Sequence, residues 1–410
     1  MSRVFFAWEL GSNLGHLSRL LPLARGLRER GHEVLVAARD VGLATEVLAP
    51  SGIPFVQSPR VAGHQHASAQ PMSLADVMLM QGWENAPQLW GLVQAWGNLL
   101  KLFRPCVVLL DYAPTALLAA RIVGLPSVLL GTGFELPPVD ASRPAFPGFI
   151  AITAGAAEAA DSRALEIANN VVDAYRAPRL TALRDLFRTE MRRLTTFAEL
   201  DPYGPRPGET YVGPIGGLDR GESVEWPEGF AHRALAYLRP GTPALFEMLR
   251  ALAGQSDIAV ICVAPGVPAD SVQSLSRPGF QFFSKPVKLS GLFPRASLFV
   301  SYAPAGSVAE SLLGGVPQLM VPAHVEAQLT AIRVESIGAG IALGASSTEG
   351  AIRTALHRML HDRRYKVRAL EFAGRYRGFD PAAAADRLIS EIEQLAVRAT
   401  PKASASRRAG

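Results

Sequence analysis

Two residues with acid–base chemistry follow apolar segments in the first third of the chain. His16 comes shortly after the apolar run Arg3–Trp8, and Asp111 ends a second apolar run over residues 106–110. Histidine titrates near neutral pH and can take a proton from a hydroxyl group, while a hydrogen-bonded carboxylate fixes its tautomer and stabilises its charged form. Parallel α/β sheets bind ligands at the carboxyl ends of their strands. We therefore predict that His16 is a general base and that Asp111 supports it.

Both residues also have a purely structural interpretation. His16 could satisfy backbone groups at the start of a helix, and Asp111 could cap a helix that begins near Pro114.

A third region has the pattern of a phosphate site. Residues 297–301 are a strand-type run, followed by a turn of small residues and by a helix predicted over residues 308–313. A strand that turns into a helix in this way points free N–H groups and the positive end of the helix dipole at one position, where phosphate binds without a lysine. We predict that Gly306, Ser307 and Val308 contact a diphosphate through backbone amides, with the Ser307 hydroxyl as a further donor.

The resemblance to a known family rests on this region. Residues 300–310, Gly315-Val316-Pro317, Pro322, Glu326 and residues 338–340 resemble the donor-binding signature of GT-B glycosyltransferases, and more narrowly of the inverting, UDP-sugar-dependent (UGT-like) family that glycosylates small molecules. The resemblance covers most of the chain. It implies an α/β fold of the GT-B type, with two Rossmann-like domains whose parallel sheets face each other across a cleft.

The resemblance implies a role for each matching residue. His16 and Asp111 take the positions of the catalytic base and its carboxylate, and Glu310 takes that of the acid that holds the ribose, although a first-turn acid favoured by the helix dipole would explain Glu310 equally. The remaining donor-binding positions are Gly15, Val287 (whose backbone lies beside the base), Tyr302, Gly306, Ser307, Val308, Glu326 and Gln328. We expect Trp83 and Phe134 on the acceptor side.

The chain departs from the family pattern at two places. The family usually has His-Gly-Gly, with a histidine that contacts the diphosphate, where this chain has Tyr302-Ala303-Pro304. It also usually has an acidic residue followed directly by glutamine, whereas Glu326 is followed by Ala327. The main interpretation is a metal-independent transfer, with inversion, from a UDP- or dTDP-linked sugar to a small-molecule or lipid hydroxyl. Two alternatives remain: a GT-B protein that binds nucleotide, sugar or a partner without transfer, and a nucleotide-sugar epimerase.

Several helices and strands are predicted to position these residues. A helix over residues 17–30 places Arg19 on its outer face, and a helical stretch over residues 83–102 lines the acceptor side, although core packing would also explain its tryptophans. Residues 161–200 are predicted to be helical. Proline and glycine crowd residues 201–217, which is typical of a connection between domains.

The domains follow from that connection. We predict an acceptor-binding Rossmann-like domain over residues 1–200 and a donor-binding one over residues 218–380. The resemblance implies that a terminal helix over residues 381–398 crosses back to the first domain, and the basic tail over residues 399–410 is predicted to be disordered.

Composition excludes other classes of protein. The tail supplies +3 of the net charge of +5, so the rest of the chain is close to neutral and no nucleic-acid partner is expected. Two cysteines in separate apolar runs, with no long apolar segment, predict a reduced, cytoplasmic setting. No metal-ligand spacing of cysteine and histidine is present, so we expect no cofactor beyond the nucleotide-sugar co-substrate. The protein is expected to be a monomer or homodimer, and peripheral membrane contact stays open because acceptors of the family can be lipids.

Overall fold

Strands alternate with helices along nearly the whole chain, and the computed structural model divides the chain into two units. It describes residues 1–12, 14–61, 70–140, 145–148, 150–216 and 221–399, except the side chains of residues 150–154. Unit 1 comprises Met1–Thr196, Arg206–Gly216 and the segment from Asp380, and unit 2 comprises Phe197–Pro205 and Gly217–Phe379. The predicted connection over residues 201–217 is thus shared between the units. The predicted tail lies outside the described residues, apart from Ala399.

Unit 1 contains a six-stranded parallel sheet. Its strands are β1 (Arg3–Trp8), β2 (Glu33–Ala38), β3 (Phe55–Gln57), β4 (Val107–Asp111), β5 (Ser127–Gly131) and β6 (Met191–Leu194), in the order β3-β2-β1-β4-β5-β6. The strand order reverses between β1 and β4, and open sheets of this topology bind ligands at that point. Trp8 pairs with Asp111 across these two strands, so the ends of β1 and β4 lie side by side.

Helices cover both faces of this sheet, because its central strands consist mainly of buried apolar residues. They are α1 (Gly15–Glu29), α2 (Val41–Val47), α3 (Leu74–Met80), α4 (Ala86–Phe103), α5 (Pro114–Val123), α6 (Ile150–Ala174) and, from the end of the chain, α12 (Pro381–Ala399). α12 packs on α1, where Arg30 pairs with Asp386 and Glu393.

Unit 2 repeats the same topology. Its strands are β7 (His232–Tyr237), β8 (Ile258–Val263), β9 (Phe280–Phe283), β10 (Leu298–Ser301), β11 (Gln318–Met320) and β12 (Gly340–Ala342), in the order β12-β11-β10-β7-β8-β9. Its helices are α7 (Leu245–Ala253), α8 (Ala305–Leu313), α9 (Val325–Ile337), α10 (Glu349–His361) and α11 (Arg363–Arg375). Here the strand order reverses between β7 and β10, and the loops that follow these strands begin with Leu238 and Tyr302.

The prediction of one helical segment over residues 161–200 is wrong beyond Ala174. α6 ends there, and Pro178 cannot continue a helix without losing a hydrogen bond. The chain then forms the edge strand β6, whose Arg192 and Arg193 are paired with Glu209 and Glu391. Because these two arginines interrupt the apolar pattern, the sequence does not indicate a strand here, at the edge of the sheet.

No helix of the described residues is both long enough and apolar enough to cross a membrane.

Candidate active site

The side chains of His16 and Asp111 meet at the carboxyl edge of the unit 1 sheet. His16 is the second residue of α1, in the loop-to-helix turn after β1, and Asp111 is the last residue of β4. Nδ1 of His16 lies 2.9 Å from Oδ1 of Asp111. His16 is 8% exposed and Asp111 is fully buried. The structure therefore brings together the two residues that the sequence predicts as a pair, although they are 95 positions apart.

The charges around Nδ1 determine the tautomer. An ionised carboxylate only accepts hydrogen bonds, so the contact of 2.9 Å requires Nδ1 of His16 to carry the proton and donate it to Asp111. The lone pair then belongs to Nε2, which has no hydrogen-bond partner among the described residues. A neutral imidazole in this state can accept a proton at Nε2.

Aromatic rings and a glycine surround the His16 ring. Trp8 stacks on it with ring centroids 5.3 Å apart, and Tyr112 stacks with centroids 6.2 Å apart. Tyr112 has a φ of 50°, which is uncommon for a residue with a Cβ and is often found next to functional groups. Gly11 lies against the Nε2 side of the ring. These contacts hold the imidazole in one orientation.

Asp111 does not cap the next helix, so the structural alternative is wrong for this residue. α5 has Ala113 at its N-cap position, without a side-chain cap. The amides of Thr115 and Ala116 donate to Oε2 of Glu9, at 2.9 Å and 3.3 Å. Glu9 is 2% exposed, and burial raises its pKa to about 7, with the hydrogen bonds from Thr115 and Ala116 opposing that rise. Asp111 therefore does not cap α5, and its carboxylate contacts His16 instead.

A buried arginine is the second partner of Asp111. Nε of Arg19 donates to Oδ2 of Asp111 at 3.0 Å, and its Nη1 donates to Oγ1 of Thr195 at 3.1 Å. Its Nη2 lies 3.4 Å from Oε1 of Glu135 and 3.4 Å from Nδ1 of His16. The prediction that Arg19 faces outward is wrong, because the residue is 7% exposed. Its guanidinium lies between two carboxylates, which balances the desolvation of its charge.

The same residues have the composition of a metal site. Ligand atoms of His16, Asp111 and Glu135 all lie within 4.8 Å of one another. However, Arg19 donates to both carboxylates and places one positive charge between them. The chemistry of this donor set is therefore that of an ion-pair network around an imidazole.

The helix α8 begins three residues before its predicted start at Val308. Its first residue is Ala305, Pro304 is the N-cap, and no side chain caps it. The first amides of a helix have no partner within it, and those of Ala305, Gly306 and Ser307 find none among the described residues. The prediction that Val308 contacts the diphosphate is wrong, because its amide donates to Pro304 at 3.0 Å and its side chain is fully buried.

Charged and aromatic side chains gather next to this turn, where the strand order of the unit 2 sheet reverses. The guanidinium carbon of Arg239 lies 4.4 Å from the centroid of the Tyr302 ring, which is a cation–π contact. The ring of Tyr237 is 5.9 Å from that of Tyr302, and burial raises the pKa of the Tyr302 hydroxyl. Tyr302 therefore stays neutral near pH 7, and Arg239 supplies the positive charge.

His324 belongs to the same group but has a different role. Its Nδ1 accepts a hydrogen bond of 3.4 Å from the amide of Ala327, so it caps α9 in a neutral form. Burial, and secondarily the charge of Arg239, lower the pKa of His324 to about 4. Ala327 is 1% exposed, and its amide serves the cap.

The chain is similar to known proteins in part of its sequence and in its fold. Residues 261–384 match the family model described as "Erythromycin biosynthesis protein CIII-like, C-terminal domain". A search of curated proteins finds no match. The solved structure of the calicheamicin glycosyltransferase CalG4 is similar, with 19% sequence identity, a TM-score of 0.73 and coverage of 98% of this chain and 99% of that chain. The glycosyltransferase VinC in complex with dTDP has 18% identity, a TM-score of 0.68 and coverage of 97% and 100%. The spinosyn rhamnosyltransferase SpnG complexed with spinosyn aglycone has 19% identity, a TM-score of 0.66 and coverage of 95% and 100%.

The chain has the GT-B fold. The similarity extends over both units, each with a six-stranded parallel sheet, and the fold predicted from the sequence is confirmed. The predicted resemblance to UGT-like glycosyltransferases is confirmed as well. The family match and the fold together support the prediction that this GT-B protein is a glycosyltransferase.

The other predicted donor residues lie in unit 2, apart from Gly15. Because α8 begins at Ala305, Glu310 lies in its second turn, and the alternative of a first-turn acid is wrong. Glu326 is in the first turn of α9, and Gln328 follows two residues later. Val287 is 4% exposed and forms a bridge with Glu222. Gly15 is the first residue of α1 in unit 1. Their donor contacts remain predictions.

The acceptor-side prediction is wrong for Trp83. The residue is fully buried, and its indole Nε1 donates to Oγ1 of Thr115 at 2.9 Å, so core packing accounts for it. Phe134 is 5% exposed and packs edge-on against Tyr112 at 5.8 Å, one ring away from His16. A small cavity nearby, of about 10 Å³, is lined mainly by apolar side chains: Leu74, Leu110, Tyr112, Ala113, Pro114, Leu117, Leu129, Glu135, Leu136 and Phe187.

Four of the residues described above were not predicted from the sequence: Glu9, Arg19 and Glu135 of unit 1, and Arg239 of unit 2. Arg19 had a signal, since it lies three positions after His16 and therefore on the same face of α1. Glu9 and Arg239 both follow a strand end at a reversal of strand order. Glu135 lies in a loop and meets Arg19 across 116 positions, for which no local pattern exists.

Proposed function

We propose that this protein transfers a sugar from a dTDP- or UDP-linked donor to a hydroxyl group of a small-molecule or lipid acceptor, with inversion and without a metal ion. The observation that carries the proposal is the hydrogen bond of 2.9 Å from Nδ1 of His16 to Asp111. It leaves the lone pair of Nε2 as a base at the carboxyl edge of the sheet.

The transfer is a single displacement. Nε2 of His16 takes the proton of the acceptor hydroxyl as the oxygen attacks the anomeric carbon, and the bond from that carbon to the diphosphate breaks with its electron pair on the diphosphate. One displacement inverts the configuration of the carbon. The imidazolium that forms is stabilised by Asp111, which is fully buried and accepts its Nδ1 proton.

The negative charge of the leaving diphosphate is assigned to unit 2. The amides of Ala305, Gly306 and Ser307 and the positive end of the α8 dipole suit a diphosphate. Arg239 adds a full positive charge next to that turn, through its position over Tyr302. Charge-assisted hydrogen bonds of this kind are about twice as strong as neutral ones. They supply the stabilisation that a metal ion supplies in other transferases.

The proposed donor and acceptor classes are supported by similar proteins. VinC is a glycosyltransferase solved in complex with dTDP, and SpnG is solved with a spinosyn aglycone. We extend the same classes to this chain: a deoxynucleoside or nucleoside diphosphate sugar, and an acceptor with an apolar body.

Two measurements test the proposal. Calorimetric titration with dTDP and with UDP measures donor recognition, and we expect one of them to bind in the micromolar range or tighter. Incubation with dTDP- and UDP-sugars and a panel of hydroxylated aglycones, followed by mass spectrometry, measures transfer. We expect a glycosylated product that His16→Ala does not form.

The alternatives have distinct outcomes. Diphosphate binding without transfer to any aglycone, and unchanged by His16→Ala, supports a binding protein. Conversion of the nucleotide sugar into its epimer without an acceptor supports an epimerase. Absence of binding to both diphosphates overturns the proposed function.

A further inference from the structure

Three charged side chains form a connected group on the Nδ1 side of the His16 ring. Arg19 links Asp111 and Glu135 through Nε at 3.0 Å and Nη2 at 3.4 Å. Each of these three residues is less than a tenth exposed. One ligand atom each of His16, Asp111 and Glu135 lies within 4.8 Å of the other two. Glu135 is therefore close enough for its charge to affect the charge of the imidazole.

The position of Glu135 is fixed from both sides. Its Oε2 accepts hydrogen bonds from the amide and the hydroxyl of Thr132, at 2.9 Å and 3.0 Å, while Oε1 faces Arg19. Thr195 holds the other end of Arg19, since its hydroxyl accepts from Nη1 at 3.1 Å. Carboxylates held in this way keep their geometry without help from the imidazole.

The three side chains have a net charge of −1, which can compensate the positive charge of a protonated imidazole. Asp111 and Glu135 contribute two negative charges, and Arg19 contributes one positive charge. With Glu135 absent, Arg19 would neutralise Asp111, and a proton taken up by His16 would add an uncompensated charge to a buried site. Buried uncompensated charges are strongly disfavoured.

We propose that Glu135, acting through Arg19, is a positioning residue that offsets the guanidinium charge and so keeps Asp111 available to stabilise the protonated form of His16. The inference deepens the proposed function and rests on it. Arg19 has the complementary part: it holds both carboxylates ionised side by side and orients Asp111 toward Nδ1. The proton balance is unchanged, since one O–H bond of the acceptor breaks and one N–H bond at Nε2 forms.

A merely structural role makes a different prediction. If Arg19 and Glu135 only pack unit 1, removing either one lowers stability without changing how His16 titrates. If they act through charge, the two substitutions shift the titration of His16 in opposite directions, and the double substitution restores the net charge and cancels the shifts. Opposite signs and cancellation therefore separate the two roles.

The test uses the full chain with ¹⁵N-labelled histidine. Ring nitrogen shifts give the tautomer and the titration midpoint of each imidazole, and the His16 signals are those that disappear in His16→Gln. The variants are Glu135→Gln, Arg19→Gln, the double variant and Arg19→Lys. Glu190→Gln is the matched control, because Glu190 also accepts a backbone amide, that of Ser127, at the opposite edge of the same sheet. Thermal unfolding of each variant checks that it is folded.

We expect Nδ1 to carry the proton and the midpoint of His16 to fall by about 1 pH unit or more in Glu135→Gln, on the scale of one charge removed a few ångströms away. The titration midpoint of His16 should rise in Arg19→Gln and return to within about 0.5 pH unit of the parent value in the double variant. In Arg19→Lys and Glu190→Gln, the midpoint should stay close to the parent value. If Arg19→Gln does not fold, Glu135→Gln and Arg19→Lys carry the test.

An unchanged or raised midpoint in folded Glu135→Gln overturns the inference. So does a proton on Nε2 instead of Nδ1. The proposed function fails separately, through absence of dTDP and UDP binding in calorimetry, a result that leaves the titration of His16 untouched.

Discussion

Gly11 lies directly against the ring of His16. A Cβ placed on Gly11 would be 2.3 Å from Nε2 of His16 and 3.0 Å from its Cε1, far inside normal contact distances. Gly11 also has a φ of +77°, which residues with a Cβ rarely adopt. The space for the ring of His16, on the side of its lone pair, therefore depends on the missing side chain at position 11.

Gly11→Ala should lower turnover by about 100-fold, because the added Cβ displaces the His16 ring from its present position, and displacements near 1 Å have effects of that size. Gly31→Ala is the matched control. Gly31 has a similar φ of +84°, but a Cβ there has nothing within 4 Å. Both variants should lose about 1–2 kcal/mol of stability from left-handed backbone. Equal activity of the two variants would show that the position of the ring does not matter.

His16→Ala should lower turnover by about 100-fold or more, which is the usual scale of general-base catalysis. Asp111→Asn should lower it by a similar or smaller factor, because asparagine can hold the ring but not stabilise the imidazolium. Diphosphate affinity should stay within about twofold in both variants. Product formation measures the first effect and calorimetry the second. Turnover of His16→Ala at the parent rate would assign the proton to another group.

The sequence predicted the sheets of this fold well where the strands consist mainly of apolar residues. β1, β4 and β10 are of this kind and lie within a residue of their predicted bounds. The pattern failed at β6 and β7, whose arginine and histidine residues interrupt the apolar run at the edge or start of a strand. Periodicity reports which faces are buried, and it fails where a charged residue is buried in an ion pair.

The site was predictable only in part, for the same reason. His16 and Asp111 each follow a strand and could be identified by their positions along the chain. Arg19 was assigned to the outer face of α1 because arginine is usually exposed. Its burial depends on Asp111 and Glu135, which are 92 and 116 positions away. Contacts of that kind arise from topology and leave no local signal.

Arg239→Gln should weaken diphosphate binding by roughly 10-fold or more, since a hydrogen bond to a charged group contributes about 1.5–3 kcal/mol. Its guanidinium lies over Tyr302, beside the first turn of α8. Arg250→Gln is the control, because Arg250 is in the same unit but pairs with Glu247 and Glu349. Calorimetry with dTDP and UDP at low and high salt gives both affinities. Equal affinities in the two variants would exclude Arg239 from the donor site.

Ser307→Ala tests the other part of the same site. Ser307 is the third residue of α8, and the substitution removes its hydroxyl while leaving its amide in place. We expect roughly a 10-fold loss of diphosphate affinity or more from one hydrogen bond to a charged oxygen. Ser336→Ala is a suitable control, because that hydroxyl donates within α9 to Arg333 and faces solvent. An affinity equal to that of the control would show that the Ser307 hydroxyl does not contact the diphosphate.

Glu9 should make unit 1 less stable as pH rises. Burial raises its pKa from 4.5 to about 7, so between these values the folded chain keeps a proton that the unfolded chain has released. The stabilisation is fully present below pH 4.5 and is lost as pH rises through about 7. The difference is on the order of 2–3 kcal/mol.

Glu9→Gln should remove this dependence, because its amide oxygen still accepts from Thr115 and Ala116 without ionising. Urea unfolding at about pH 4.5 and about pH 8, followed by the fluorescence of the buried Trp8, Trp83 and Trp96, measures it. The free energy of unfolding of the parent, relative to that of Glu9→Gln, should be lower at the higher pH by the stated amount. Glu190→Gln, which alters an exposed glutamate, should follow the parent. If the parent and Glu9→Gln change equally with pH, Glu9 is ionised in the folded chain across this range, and the amides of α5 are capped by a carboxylate instead of a carboxylic acid.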